Sequence, residues 1–297
     1  MHVPVLLQPT IELLDIKEGE TIVDATLGLG GHAKEMAKRL GQRGTLIGFD
    51  ADVELLAKAK ENLQNISSRM IFINTNFRNL KSALAKEGIE KIDKVLFDLG
   101  LNSEQLDKSE RGFTFQKNES LLMTFNPQIE KETLTAKEIV NNWSEESLAD
   151  IIYGYGEERS ARKIANAIIR ARAEKPIATT FDLIEIIEKV LPARLRHGRI
   201  HFATKTFQAL RITVNDEIGA LSEGLDGAWE KLSDGGRVAA LSFHGLEAKT
   251  IKKIFKTKVT EGSGKLVNKK AIKPTGAEIL ANPRSRSAQL RVIQKII

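Results

Sequence analysis

The sequence contains no cysteine. Disulfides, thiolate zinc sites and cysteine nucleophiles are therefore excluded. It also lacks any apolar run approaching the ~20 residues of a membrane-spanning helix. The segment from Met1 to Leu14 carries Pro4, Pro9 and Glu12 and no basic stretch, unlike a secretory leader. A cytoplasmic protein is the expectation. No internal repeat or low-complexity segment is apparent. The five histidines show neither H-x-x-x-H spacing nor a carboxylate pairing, so no metal site is expected.

What is present is ordinary for a globular chain. Of 297 residues, 41% are hydrophobic and 28% charged, enough for a sizeable core without staples. The length fits one large domain or a core domain carrying a smaller one. The net charge of +6 is uneven. Ala248 to Ile297 holds thirteen Lys and Arg against two Glu, or +11, which leaves the rest at −5. A second basic stretch, Arg194, Arg196, Arg199, Lys205 and Arg211, has no acid within it. Such segments suit a polyanionic partner, although lysines kept for solubility account for them equally well.

Along the first hundred residues, strand and helix patterns alternate. Strands are read at Thr21–Leu27, Thr45–Phe49, Met70–Ile73 and Lys94–Leu99, and helices at Gly31–Leu40, Val53–Leu63 and Leu80–Lys86. This order predicts a parallel, doubly wound sheet covered on both faces. From Leu101 to about Lys131 no period is clear. Helices then follow alone, at Thr135–Asn142, Glu145–Tyr153, Glu157–Arg172 and Phe181–Val190, as an inserted domain would show. Ala203–Leu232 reads as a helix interrupted near Gly219 or Gly224 and ended by Gly235-Gly236. A strand at Arg237–Phe243, a helix at Leu246–Lys256 and two late strands, at Lys265–Lys269 and Ala288–Ile296, complete the pattern. The expected division is 1–102 with 204–297 as core and 103–203 as a helical insertion.

The chemistry gathers at strand ends. Asp24-Ala25-Thr26-Leu27-Gly28-Leu29-Gly30-Gly31-His32-Ala33 follows a strand and opens a helix. Its glycines permit a sharp turn and close backbone approach to a ligand, and the helix N-terminus offers free N–H groups. Alone, this motif fits a dinucleotide as well as S-adenosylmethionine. Asp50, at the second strand end, is either a capping acid or the acceptor of both ribose hydroxyls. Phe77, ending the third strand, is either core or the wall of an adenine pocket. Asp98 ends the fourth. Ligands of open α/β sheets bind beyond the carboxyl ends of the strands, and all these residues share that edge.

The motifs then become specific. Asp24–Ala33, Asp98–Asp107 (DLGLNSEQLD), Glu110–Phe115 (ERGFTF), Tyr155–Arg159 (YGEER), His201–Ile212 (HFATKTFQALRI), Ser242–Lys249 (SFHGLEAK) and Asn282–Arg291 (NPRSRSAQLR) occur in order over nearly the whole chain. Together they resemble the bacterial 16S rRNA cytosine-N4 methyltransferase family (RsmH/MraW). The resemblance implies an α/β fold of the class I S-adenosylmethionine-dependent methyltransferase type, Rossmann-like and seven-stranded, with an inserted all-helical domain. It implies S-adenosylmethionine as cofactor, held by Gly28, Gly30, Gly31, His32, Asp50, Phe77, Asp98 and Gln105. The implied substrate is the N4 amine of a cytidine in the decoding region of 16S rRNA, with the small ribosomal subunit as partner. That base must be unpaired or flipped out. Asp98, Asn102, Ser103, Ser242 and His244 are candidates to act on it. Phe113 or Phe243 either stacks on the base or packs in a core. Arg111, Arg159, Arg162, Arg196, Arg199, Lys205 and Arg211 are candidates for RNA contact.

Some positions depart from the family pattern. Leu121–Asn126 (LLMTFN) stands where L-D-M-R-M-D is usual. Asn102 replaces a serine, Phe202 a proline and Ala248 an acid. A binding-only paralogue and a methyltransferase for another nucleic acid are the alternatives. A dehydrogenase fits the glycine loop and Asp50 but not the helical insertion. The two-proline motif of common DNA amino-methyltransferases is absent after the fourth strand.

Overall fold

A computed structural model describes residues 4–130, 132–198 and 200–296, with Ser103 described in its backbone only. In chain order, α1 (Leu7–Leu14), β1 (Thr21–Asp24), α2 (Gly31–Leu40), β2 (Thr45–Asp50), α3 (Val53–Asn62), β3 (Arg69–Asn74), α4 (Leu80–Lys86) and β4 (Ile92–Asp98) come first. There follow α5 (Ser103–Lys108), α6 (Ala136–Asn142), α7 (Glu145–Gly154), α8 (Ala161–Glu174), α9 (Thr180–Val190), α10 (Ala193–Arg196) and α11 (Thr204–Asn215). The chain ends with α12 (Glu217–Lys231), β5 (Leu232–Ser242), α13 (Gly245–Thr260), β6 (Gly264–Leu266), α14 (Gly276–Ala281) and β7 (Gln289–Lys295). Two compact units result, Met1–Gly100 with Ile218–Ile297, and Leu101–Glu217.

The first unit is built on a seven-stranded sheet in the order β3-β2-β1-β4-β5-β7-β6. Strands β1 to β5 are parallel, and β7 runs antiparallel to β5 and β6. Alternate residues of each strand feed two cores. Val23, Ile47, Phe49, Val95, Phe97 and Val238 pack with Leu80, Leu225, Trp229 and Phe255 on one face. Ile22, Leu46, Leu96 and Leu241 pack with Leu14, Met36, Leu40 and Leu56 on the other. Burial on both faces is why these strands read as continuous apolar runs.

Several boundaries differ from the sequence expectation. The long helix breaks at Asp216, in left-handed conformation at φ 44°, and α12 runs through Gly219 and Gly224. A Cβ at Gly224 would lie 2.7 Å from the Phe77 ring, so this glycine serves close packing of the helix on the sheet. Gly235-Gly236 does not end the helix, which stops at Lys231. Both glycines lie within β5, where the pairing with β4 shifts register between Ile92 and Lys94, a bulge that glycine suits. Helix α8 starts at Ala161 rather than Glu157, because Glu157 is left-handed at φ 50°. Helices α1, α5, α10 and α14 lie where the sequence reading places no helix.

The second unit is all-helical, with its own core of Ile139, Leu148, Ile152, Ile164, Ile168, Leu183, Ile187, Phe207 and Leu210. Phe207 and Leu210 draw α11 into this unit. Its limits are therefore 101–217, not 103–203.

Candidate functional site

The loop from β1 to α2 begins with Asp24, which accepts a hydrogen bond from the Thr26 N–H at 3.1 Å. Gly28 and Gly30 take φ of 53° and 82°, a region costly for any residue with a Cβ. Gly30 also passes so close to Leu63 that a Cβ would stand 2.8 Å away. The Gly28 N–H donates to Asp50 Oδ2 at 2.8 Å, and the Asp52 N–H donates to Asp50 Oδ1 at 2.9 Å. Asp50 is thus locked against the glycine turn.

Across the sheet, the Asp98 N–H donates to Thr26 Oγ1 at 2.7 Å. His32 lies buried in the first turn of α2. Its Nε2 is 3.1 Å from the Val5 carbonyl and its Nδ1 is 3.3 Å from Asp98 Oδ2. Both ring nitrogens face acceptors, an arrangement completed when both carry protons. Burial by itself lowers the His32 pKa, but the hydrogen bond and charge of Asp98, with the charge of Asp24, raise it overall. Asp24 is pushed up to about 7 by burial, which the positive charge of His32 and the Thr26 N–H only partly offset. Asp98 and Asp50 push it further in the same direction as burial. Asp98 Oδ1 is buried and accepts no hydrogen bond among the described residues. A buried carboxylate oxygen left without a partner is costly unless a ligand completes it.

The expected site residues meet different fates. Gly28, Gly30, Gly31, His32, Asp50 and Asp98 converge at this edge. Phe77 does not end a strand, since β3 stops at Asn74. It opens a short 3₁₀ turn, Phe77–Asn79, and packs edge-on against Phe97 at 5.6 Å between ring centroids. Ser242 is buried and bonds the Gln289 carbonyl at 3.4 Å. His244 caps α13, its Nδ1 accepting from the Glu247 N–H at 3.5 Å, while Glu247 Oε1 stands 3.2 Å from its Nε2. His244 Nε2 is buried and makes no hydrogen bond among the described residues. The Phe243 N–H donates to Glu247 Oε2 at 2.7 Å, and the Phe243 ring fringes the core.

In the second unit, Asn102 and Gln105 form a reciprocal capping box that starts α5. Ser103 opens that helix, and its side chain lies outside the described residues, as does Arg199. Arg111 is buried and donates to the Thr124 and Phe125 carbonyls at 3.0 and 2.5 Å. Phe113 is buried and stacks on Phe125. Arg211 makes a two-pronged ion pair with Glu217 at 2.7 and 2.9 Å. These contacts tie all three side chains into the unit. Lys205 donates to the Glu157 carbonyl at 2.9 Å, and Arg196 lies 3.9 Å from Glu188. Arg159 and Arg162 are exposed. The divergent Leu121–Asn126 segment is pinned by Arg111 and by Asn215, which bonds the Met123 carbonyl and the Phe125 N–H.

Thr26 and Val5 are site residues that sequence reading missed. A backbone carbonyl leaves no signal in sequence, and Thr26 was visible only as part of a motif.

A sheet in this strand order, with one antiparallel strand next to its edge and a glycine turn locked to the acid at the neighbouring strand end, defines the chain as a class I methyltransferase in architecture. More narrowly, the chain belongs to the MraW methylase family, whose model matches residues 1–296. It is similar to ribosomal RNA small subunit methyltransferase H of Clostridioides difficile strain 630, at 41% identity over 310 residues and 99% of each chain. The protein of the same name from Symbiobacterium thermophilum is 42% identical over 310 residues, 99% of this chain and 96% of that one. That of Finegoldia magna is 40% identical over 312 residues, 100% of this chain and 99% of that one.

Proposed function

We propose that this chain methylates the exocyclic N4 of a cytidine in small-subunit ribosomal RNA, in the cytoplasm, with S-adenosylmethionine as donor. The observation that carries the reading is Asp98, with one oxygen fixed by His32 and the other buried without a partner at the carboxyl edge of the sheet.

The residues at this edge fit the donor better than a dinucleotide. Asp50 and Asp98 set two carboxyl groups there, which suits a cationic sulfonium and repels a pyrophosphate. The Gly28 N–H, which a phosphate would need, is given to Asp50. Asp50 would accept the ribose hydroxyls, and Phe77 would border the adenine. When bound, S-adenosylmethionine supplies an electrophilic methyl group. Asp98 Oδ1 can accept an N–H of the cytosine amine and so orient N4, a conjugated and weakly nucleophilic nitrogen. Transfer would form the N4–CH₃ bond as the S–CH₃ bond breaks, leaving the thioether, and the N4 proton would pass to Asp98 Oδ1 and on to solvent. Arg159 and Arg162 remain the exposed candidates for phosphate contact on the helical unit.

The test incubates the protein with methyl-labelled donor and small ribosomal subunits from a strain lacking the family enzyme, then maps the label by nucleoside mass spectrometry. N4-methylcytidine in 16S rRNA is expected, and Asp98→Ala should abolish it. No label, with donor binding demonstrated by calorimetry, overturns the reading in favour of a binding-only protein or another substrate.

A further inference from the structure

We propose that the basic C-terminal segment of the methyltransferase unit, centred on Arg284 and Arg286, grips RNA phosphates beside the target nucleotide. The inference rests on the RNA-methylating reading above and adds to it a substrate-gripping surface on the sheet itself, outside the helical unit.

Topology places these arginines. Strand β7 runs antiparallel to β5, with Gln289 opposite Ser242. The residues that precede β7 therefore stand at the same sheet edge as the carboxyl ends of β1, β4 and β5, where Asp24 and Asp98 lie. Asp98 pairs with Leu241 of β5, and β7 is the next strand over. Two strand spacings, about 10 Å, thus separate Asp98 from the start of β7. Arg284 and Arg286 sit in the 3₁₀ turn Pro283–Ser287 just before that start, and both are exposed.

The turn is held rigidly. Ser285 is fully buried between the two arginines, and its hydroxyl donates to the Asn282 carbonyl at 2.7 Å. The alternation turns both arginines to solvent. The 267–273 loop is pinned to the same end of β7. Ile272 and Leu290 exchange backbone hydrogen bonds at 3.0 and 2.9 Å, and Asn268 bonds the Leu290 carbonyl and the Val292 N–H. That loop brings exposed Lys269, Lys270 and Lys273 to the arginines' side of the sheet. Glu278, the single acid after Glu261, accepts the Leu6 N–H at 2.7 Å. The result is fixed positive charge beside a negatively charged methyl-donor edge. Phosphates of a strand entering that edge are its complement.

The experiment compares wild type, the Arg284→Ala/Arg286→Ala double variant and a Lys86→Ala/Lys91→Ala control. Both control lysines are exposed and lie just before β4, at the opposite edge of the sheet. KM for small ribosomal subunits and its salt dependence are measured, with donor affinity by calorimetry as the check on folding. For the arginine variant, KM should rise about twentyfold at 0.1 M salt and the log–log salt slope should fall by about 1.4, for two lost single-strand contacts. Its kcat and donor affinity should hold, and the control should match wild type. An arginine variant indistinguishable from an active wild type overturns the surface and leaves the methyltransferase reading intact. An equal loss in the control also overturns it, as a general charge effect. A wild type that neither binds nor methylates the subunits removes the reading on which the surface rests.

Discussion

Asp24 is a carboxyl group almost wholly withdrawn from water beside two other acids, and His32 stands between Asp24 and Asp98 as their only cationic relief among the described residues of that edge. A carboxyl with a raised folded pKa keeps its proton in the folded chain after the unfolded chain has released it. Its contribution to stability is complete below the ordinary value of 3.8 and is lost as pH climbs through about 7. The raised pKa of His32 acts in the same sense at higher pH. Between about pH 4 and pH 7, wild-type stability should therefore fall more steeply than that of Asp24→Asn, by up to about 1.4 kcal/mol per pH unit. Urea titrations across that range check this, and parallel slopes would refute it. Asp98→Asn keeps the size of the side chain but weakens its grip on both His32 and the substrate amine. Methyl transfer should drop about a hundredfold, with RNA affinity unchanged in a filter-binding assay.

Single elements carry the next scale of consequence. Helix α12 lies so close to the sheet that Gly224 has Phe77 and Phe97 where a side chain would begin. Gly224→Val should displace Phe77, cost about 1–3 kcal/mol of stability and weaken donor binding in calorimetry. An unchanged donor affinity would mean that Phe77 does not border the adenine. Helix α9 starts with a capping box in which Thr179 and Asp182 satisfy each other's backbone N–H groups. Thr179→Ala should cost about 1 kcal/mol, read as a lowered midpoint in thermal denaturation, with donor affinity untouched.

For the whole molecule, two units with separate cores need not unfold together. Leu96 and Leu148 are each fully buried, one in each unit. Truncating either to Ala should cost about 2–5 kcal/mol and lower the transition of its own unit in calorimetry. Donor at a hundred times its Kd should add about 2.7 kcal/mol to the Leu96 transition. A single transition that both variants shift equally would show the units to be one cooperative block.

The order of elements was legible because hydrophobic period is a local property. Strands buried on both faces stand out as short apolar runs, and α2 and α4 fall where their spacing put them. The ordered motifs carried the family. Local pattern could not reveal which distant groups meet. That Val5 and Asp98 would hold the two nitrogens of one histidine is decided by tertiary folding alone. So is the fate of Arg111, Phe113 and Arg211, whose types suit RNA but whose surroundings bury or pair them. Gly235-Gly236 looked like a helix stop and proved to be a strand bulge, because the need for glycine there comes from the register with β4. Sequence alone determined which residues crowd the carboxyl edge of the sheet. Only the packed structure decided their protonation, their partners and which of them remain open to a ligand, since burial and the approach of charges are properties of the folded chain.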